Sequence, residues 1–138
     1  SPNTCLGGTT MTAISGDTGS PTSRTTGTTS QWLKIRVSEN DSGVFGAKLK
    51  VRLTLTSPSS ANFDMRVYVA NDGSSQKCTG VDRQTSATVG PDVASVEWGE
   101  GAVANGDDDD RWVTIEVFHV SGTCAAGQTW SLLAEGNK

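Results

Sequence analysis

No apolar run in this sequence approaches the roughly 20 residues that a membrane-crossing helix needs, which argues against membrane insertion by a helix. Nor does any window of about ten residues repeat its apolar positions at the helical period, so the chain has little from which to build helices at all. Basic charge is short as well: 11 Lys and Arg against 15 Asp and Glu leave a net charge of −4. Nucleic acids and anionic membranes are held by basic surfaces, so neither is an expected partner. His119 is the only histidine and hence the one conventional general base. Cysteine is limited to Cys5, Cys78 and Cys124, too few for a disulfide-rich mini-protein and without zinc-finger spacing.

What the chain does have is Thr, Ser, Val and 16 Gly, with period-two alternation in several stretches. A length of 138 residues suits one domain that buries roughly 68% of its unfolded surface. Ala47 to Asn71 is the organising stretch. Leu49, Val51, Leu53 and Leu55 alternate with Lys48, Lys50, Arg52 and Thr54, and Met65, Val67 and Val69 alternate with Asp64, Arg66 and Tyr68. This pattern predicts two long strands of one half-buried antiparallel pair, with the aliphatic side chains on one face and a basic, tyrosine-bearing surface on the other.

The other elements follow the same rule. Gln31 to Ser38 predicts a strand with Leu33, Ile35 and Val37 inward, followed by a turn at ENDSG that returns Val44 and Phe45 to the core. Val93 to Trp98 predicts a short strand, with Ala94, Val96 and Trp98 on one side. Arg111 to Val120 predicts a long one, with Val113, Ile115 and Val117 inward, and Gln128 to Glu135 a last one, with Trp130, Leu132 and Ala134 inward. A short strand is expected near Ser86 to Val89. Residues 1–30, rich in Thr, Ser and Gly, read as a linker or long loop partly docked onto the domain formed by 31–138, with a short first strand around Met11, Ala13 and Ile14. Seven or eight strands without helices give an all-β antiparallel β-sandwich.

For the cysteines the expected disulfide joins Cys78 to Cys124, both in polar stretches at strand ends. It would close a loop of about 47 residues and stabilise by ~4 kcal/mol in the chain-entropy picture. Cys5 would then pair with a cysteine upstream of Ser1; the alternative is three reduced, buried thiols. With neither an initiator Met nor a signal peptide, the chain reads as a mature segment of a secreted or extracellular protein.

The order QWLKIRV, KLKVRLTL, NFDMRVYV, RWVTIEV and WSLLAEG resembles the bacterial pre-peptidase C-terminal domain, an accessory module of secreted proteins. Asp64, Met65, Val67 and Tyr68 are similar to that family's central Asp-aliphatic-x-aliphatic-Tyr pattern. Trp112, Val113, Ile115 and Val117 stand where it carries Tyr-Val-x-Val. The loop GEGAVANGDDDD and the cysteines depart from the pattern. The resemblance implies a jelly-roll sandwich and a module without catalytic activity.

Three places offer chemistry. Asp107, Asp108, Asp109 and Asp110 are adjacent carboxylates whose repulsion a hard cation such as Ca²⁺ would relieve, although a solvated hairpin tip accounts for them too. Trp32, Arg66, Tyr68, Trp112 and Phe118 point outward from their strands among Lys34, Arg36, Lys48, Lys50 and Arg52, a setting for a sugar ring or an extended protein chain. The alternative is that the long N-terminal segment covers some of these rings. His119 lacks a recognisable nucleophile setting and reads as a hydrogen-bonded residue at a strand end. The expected function is a non-catalytic, monomeric accessory or binding module that aids targeting, secretion or adhesion to an extracellular protein or polysaccharide. A carbohydrate-binding module is the second reading, and a hydrolase using paired carboxylates the third.

Overall fold

Alternation of apolar and polar residues puts every second side chain on one side of an extended chain, and two such surfaces are stable when they face one another. A computed structural model of the protein describes residues 3–40, 48–99 and 109–138. Among the described residues are nine strands and no helix: β1 (Thr9–Ser15), β2 (Thr22–Gly27), β3 (Gln31–Ser38), β4 (Leu49–Thr56), β5 (Ala61–Val69), β6 (Arg83–Gln84), β7 (Asp92–Trp98), β8 (Arg111–Gly122) and β9 (Trp130–Gly136). They form a five-stranded sheet in the order β1-β3-β8-β5-β6 and a four-stranded sheet in the order β2-β9-β4-β7. All pairings are antiparallel except that of β1 with β3. The result is a two-sheet β-sandwich. Of the described residues, none lies in a helix long and apolar enough to cross a membrane.

The core lies between the sheets. β3 and β8 contribute Leu33, Ile35, Val37, Val113, Ile115 and Val117, and β9 contributes Trp130, Leu132 and Ala134, all fully buried and all as the alternation predicts. Ala94, Val96 and Trp98 of β7 are likewise buried.

The organising stretch behaves differently from its prediction. Leu49 to Leu55 and Phe63 to Val69 bury their alternate residues, but β4 pairs with β7 and β9 while β5 pairs with β6 and β8. The link between them crosses from one sheet to the other, so the two aliphatic rows face each other instead of sharing a face. Ser57 holds this crossing: its hydroxyl accepts from the Phe63 amide at 2.9 Å and reaches the Phe63 carbonyl at 3.2 Å. As a consequence Lys50 and Arg52 lie on the outside of one sheet and Arg66 and Tyr68 on the outside of the other. The single basic surface expected of this stretch does not form. Period two fixes which residues point the same way along each strand, but not which sheet the next strand joins.

The N-terminal region supplies one strand to each sheet. β1 contains the expected Met11 and Ile14, both buried; a bulge between them brings residues three apart to the same face. β2 falls in the stretch read as loop. Its residues are mostly small and polar because one edge pairs with β9 and only Ser23 is buried. Gly27 stands opposite Trp130, where a Cβ would lie 2.2 Å from the indole ring. The strand expected near Ser86 to Val89 is absent, and the short pairing occurs instead at Arg83–Gln84, opposite Arg66 and Val67. The predicted return of Val44 and Phe45 to the core lies outside the described residues.

The cysteine expectation is also corrected. Cys5 is bonded to Cys78, with Cα atoms 5.9 Å apart, and Cys124 is an exposed free thiol. Cys124 follows Gly122, which pairs with Ala61 at the start of β5. The segment around Cys78 is held near the far end of that strand, where Asp82 bonds the backbone of Val67 and Val69. A disulfide needs Cα atoms within about 7 Å, which this placement denies to Cys78 and Cys124. Under denaturing, non-reducing conditions thiol titration is expected to find one reactive group, and three after reduction. Trp130→Ala empties the site of a fully buried indole whose Nε1 donates to the Thr29 carbonyl at 2.9 Å. Urea unfolding should show a loss of about 3–5 kcal/mol.

Candidate ligand-binding face

Register places the predicted aromatic residues on one surface, the outer face of the five-stranded sheet. Across it run Trp32, Glu116 and Arg66; then Lys34, Thr114 and Tyr68; then Arg36 and Trp112. Phe118 stands opposite Asp64 beyond the first row. Alternation on β3, β5 and β8 thus brings Trp32, Arg66, Tyr68, Trp112 and Phe118 together as the sequence suggested.

They are not equally accessible. Tyr68 is only 5% exposed and Thr114 is fully buried, because residues 3–8 and the segment around Cys78 cross the middle of the face. Asn3 bonds the Trp32 amide and the Ser30 carbonyl, each at 2.9 Å, and the Leu6 carbonyl accepts from Lys34. Gln76 Nε2 spans the Cys5 carbonyl and Thr114 Oγ1. Trp32 lies against Tyr68 with ring centroids 5.7 Å apart. Burial, followed by the Glu116 charge, keeps the Tyr68 phenol above its ordinary range. The N-terminal segment therefore covers part of the aromatic row, and Tyr68 leaves the set of contact residues.

Three half-exposed rings remain beside this cover: Trp32, which lies against Tyr68, and two that carry cations. At one, Lys34 Nζ lies 5.3 Å and the Arg36 guanidinium 5.6 Å from the Trp112 ring centre, while Arg36 also donates to the Gly73 carbonyl at 2.7 Å. At the other, the Arg66 guanidinium lies 4.1 Å from the centre of Phe118 and pairs with Glu116 at 3.1 Å. Cations over ring faces stabilise by ~0.5–1 kcal/mol at exposed sites and fix the aromatic planes.

Of the four aspartates proposed for Ca²⁺, Asp107 and Asp108 lie outside the described residues. The Asp109 amide donates to Glu39 and the Glu39 amide to Asp110, so Glu39 joins this acidic end. Among the described residues no group of three or more His, Cys, Asp or Glu side chains is placed to hold a metal ion. His119 Nε2 meets the Gly122 carbonyl at 2.9 Å and its ring stands edge-on to Phe63, so it is tied into the end of β8 as its sequence position suggested.

One pair went unnoticed in the sequence. Asp64 on β5 and Asp92 on β7 are 7% and 2% exposed, and after burial it is Asp92 that raises the Asp64 carboxyl above its ordinary range. They are 28 positions apart on different sheets, so no spacing announces them. Their burial denies this pair access to a substrate. Beside them, at the same end of the sandwich, a cleft of about 450 Å³ is lined by Ser57, Ser60, Asn62, Thr88, Pro91 and Ser121, among others. It has no aromatic wall for a sugar ring.

No protein-family model matches this sequence, and no curated protein does. Two solved structures are similar in strand layout. The pre-peptidase C-terminal domain of collagenase from Bacillus anthracis is 8% identical over 88% of this chain and 91% of that one, with a TM-score of 0.46. An insecticidal delta-endotoxin from Bacillus thuringiensis is 18% identical over 82% of this chain and 19% of the toxin, with a TM-score of 0.39. Both likenesses are loose, and neither makes this chain a member of a family.

The strap across the face has a measurable consequence. Cys5→Ser removes a link between residues 73 apart, which in the chain-entropy picture contributes ~4 kcal/mol. Urea unfolding of the variant should show a loss of that order or smaller, and the amide of Trp32, bonded to Asn3, should exchange faster than in the parent.

Proposed function

We propose that this protein is a non-catalytic binding module of a larger extracellular protein, and that it engages an extended, acidic protein chain through Trp112, Phe118 and the cations around them. The observation that carries this reading is the pairing of two half-exposed rings with cations: Lys34 and Arg36 with Trp112, and Arg66 with Phe118, on a chain whose net charge is −4. A basic, aromatic patch on an acidic body attracts carboxylate-bearing partners locally while the rest of the surface repels them. Aromatic and Arg side chains are also the types that dominate binding energy at interfaces. The Cys5–Cys78 disulfide fits an oxidising compartment and so supports secretion.

A carbohydrate-binding module is the second reading, supported by the same rings. Stacking on a sugar uses an open ring face, and Arg66 over Phe118 occupies one, so the acidic protein partner is preferred.

Pulldown on insoluble fibrous proteins and on insoluble polysaccharides separates the two. Retention on a fibrous protein is expected. It should fall about tenfold or more in Trp112→Ala, and should weaken as salt rises from 0.05 to 0.5 M, roughly the range over which the Debye length contracts to a few ångströms. The thermal midpoint of Trp112→Ala, whose ring is half-exposed, should move by only a few degrees. Retention on a glycan alone, lost in the same variant, would select the second reading. Hydrolytic turnover abolished by a single Asp or Glu substitution would replace both.

A further inference from the structure

We propose that Asp64 and Asp92 form a one-proton latch between the two sheets, closed while they share a proton and loosened when both carboxyls are ionised. The latch stands on geometry. Thr85 follows β6 and is almost wholly buried; its amide bonds the Met65 carbonyl at 3.0 Å, its Oγ1 accepts from the Met65 amide at 3.0 Å, and its hydroxyl proton goes to Asp92 Oδ2. That single hydroxyl proton is therefore committed to Asp92. Asp92 is the neighbour that raises the Asp64 carboxyl, and two carboxyls can hydrogen-bond only through a proton of their own. Asp64 Oδ1 is buried without a hydrogen-bond partner among the described residues, and the one neighbour that favours its negative charge is Asn62.

The surrounding charges are engaged elsewhere. On β5, Asn62 hydrogen-bonds Asp64, while Arg66 is held by Glu116 at 3.1 Å and Gln84 at 3.3 Å and lies over Phe118. On β8, Phe118 stands opposite Asp64, and the neighbouring His119 is bonded to the Gly122 carbonyl. On β6, Arg83 is exposed and donates to the Asp82 carbonyl. On β7, Glu97 lies at the other end of the strand and meets Lys48. No cation among the described residues forms an ion pair with either aspartate.

Burial first, and then the hydrogen bond and charge of Asp92, push Asp64 up from 3.8 to about 6. A carboxyl whose folded value is raised favours the folded state while it is protonated. The contribution is therefore complete below about pH 4 and is lost as pH rises through about 6. The carboxyls of Asp72, lowered by hydrogen bonds from Ser74 and Ser75, and of Glu135, lowered by Lys138 and Arg52, act in the opposite sense in more acidic solution. The latch is accordingly read between pH 4.5 and 8.

The test is urea unfolding across that range for the parent chain, Asp64→Asn and Asp92→Asn, with EDTA and separately with millimolar CaCl₂. The folding equilibrium constant of the parent in EDTA should fall roughly ten- to thirtyfold from pH 4.5 to 8. Asp64→Asn should remove most of that fall, and Asp92→Asn the smaller part that its hydrogen bond and charge contribute, because burial still raises Asp64. Hydrogen exchange at the Met65 and Thr85 amides, corrected for intrinsic rates, should accelerate above pH 6 in the parent and not in Asp64→Asn. Should one variant not fold, the other together with the carboxyl-carbon NMR titration of Asp64 in the parent decides: a midpoint near 6 supports the latch, and one near 4 overturns it. The same pH slope in parent and variants overturns it. So does a Ca²⁺-dependent gain in parent stability at pH 8 that Asp64→Asn abolishes, because the pair would then be a cation site.

Discussion

Apposition of β4 and β5 across the core is the constraint on which the rest of the structure depends. Leu49, Val51, Leu53 and Leu55 are fully shielded from water in one core with Phe63, Met65 and Val67 of the other sheet. Fully burying each such side chain contributes about 1.5–3 kcal/mol, and leaving any of them on a single sheet would forfeit that. Once residues 57–60 carry the chain across, β7 and β9 must flank β4 and β8 must flank β5, since each inward row needs neighbours at its sides. The sandwich is then closed along one seam by β1 and β2, successive strands that join different sheets, and bridged along the other by Thr85 between Met65 and Asp92.

The same arrangement governs what the outside can do. Inward-facing residues are committed to packing, so binding is left to the outer faces and the ends. On the five-stranded sheet, the disulfide holds the N-terminal segment over Tyr68 and Thr114, and the uncovered remainder carries Trp112 and Phe118 with their stacked cations. Lys50 and Arg52 belong to the opposite sheet, where Arg52 is neutralised by Glu135 at 3.0 Å. On the five-stranded sheet Arg66 is likewise paired, with Glu116 at 3.1 Å, so the positive charge that stands out on that face is that of Lys34 and Arg36 beside Trp112.

Much of the strand content was legible. Leu33, Ile35 and Val37, Val113, Ile115 and Val117, and Trp130, Leu132 and Ala134 occupy the core as their alternation implied, because a half-buried strand imposes period two on its sequence. β2 was not legible: a Thr-rich edge strand has almost no buried residue to reveal it, and it is identified by hydrogen bonds to β9. Met11 and Ile14 carried a false spacing, because a bulge shifts the register between them. The outward direction of Trp32, Arg66, Tyr68, Trp112 and Phe118 could be read from parity alone. The loss of Tyr68 to the N-terminal cover, and the arrival of Glu39 beside Asp109 and Asp110, depend on segments far apart in sequence.

The sequence by itself determined the β class, the inward parity of the long strands and the acidic balance, all properties of residues and their nearest neighbours. Tertiary structure decided the rest: which strands share a sheet, that Cys5 and not Cys124 meets Cys78, and that two aspartates 28 positions apart are buried as neighbours. The reason is physical. Parity along a strand is set by local backbone geometry, whereas sheet membership, thiol proximity and carboxyl burial are set by where distant segments come to rest, and no period in the chain encodes that distance.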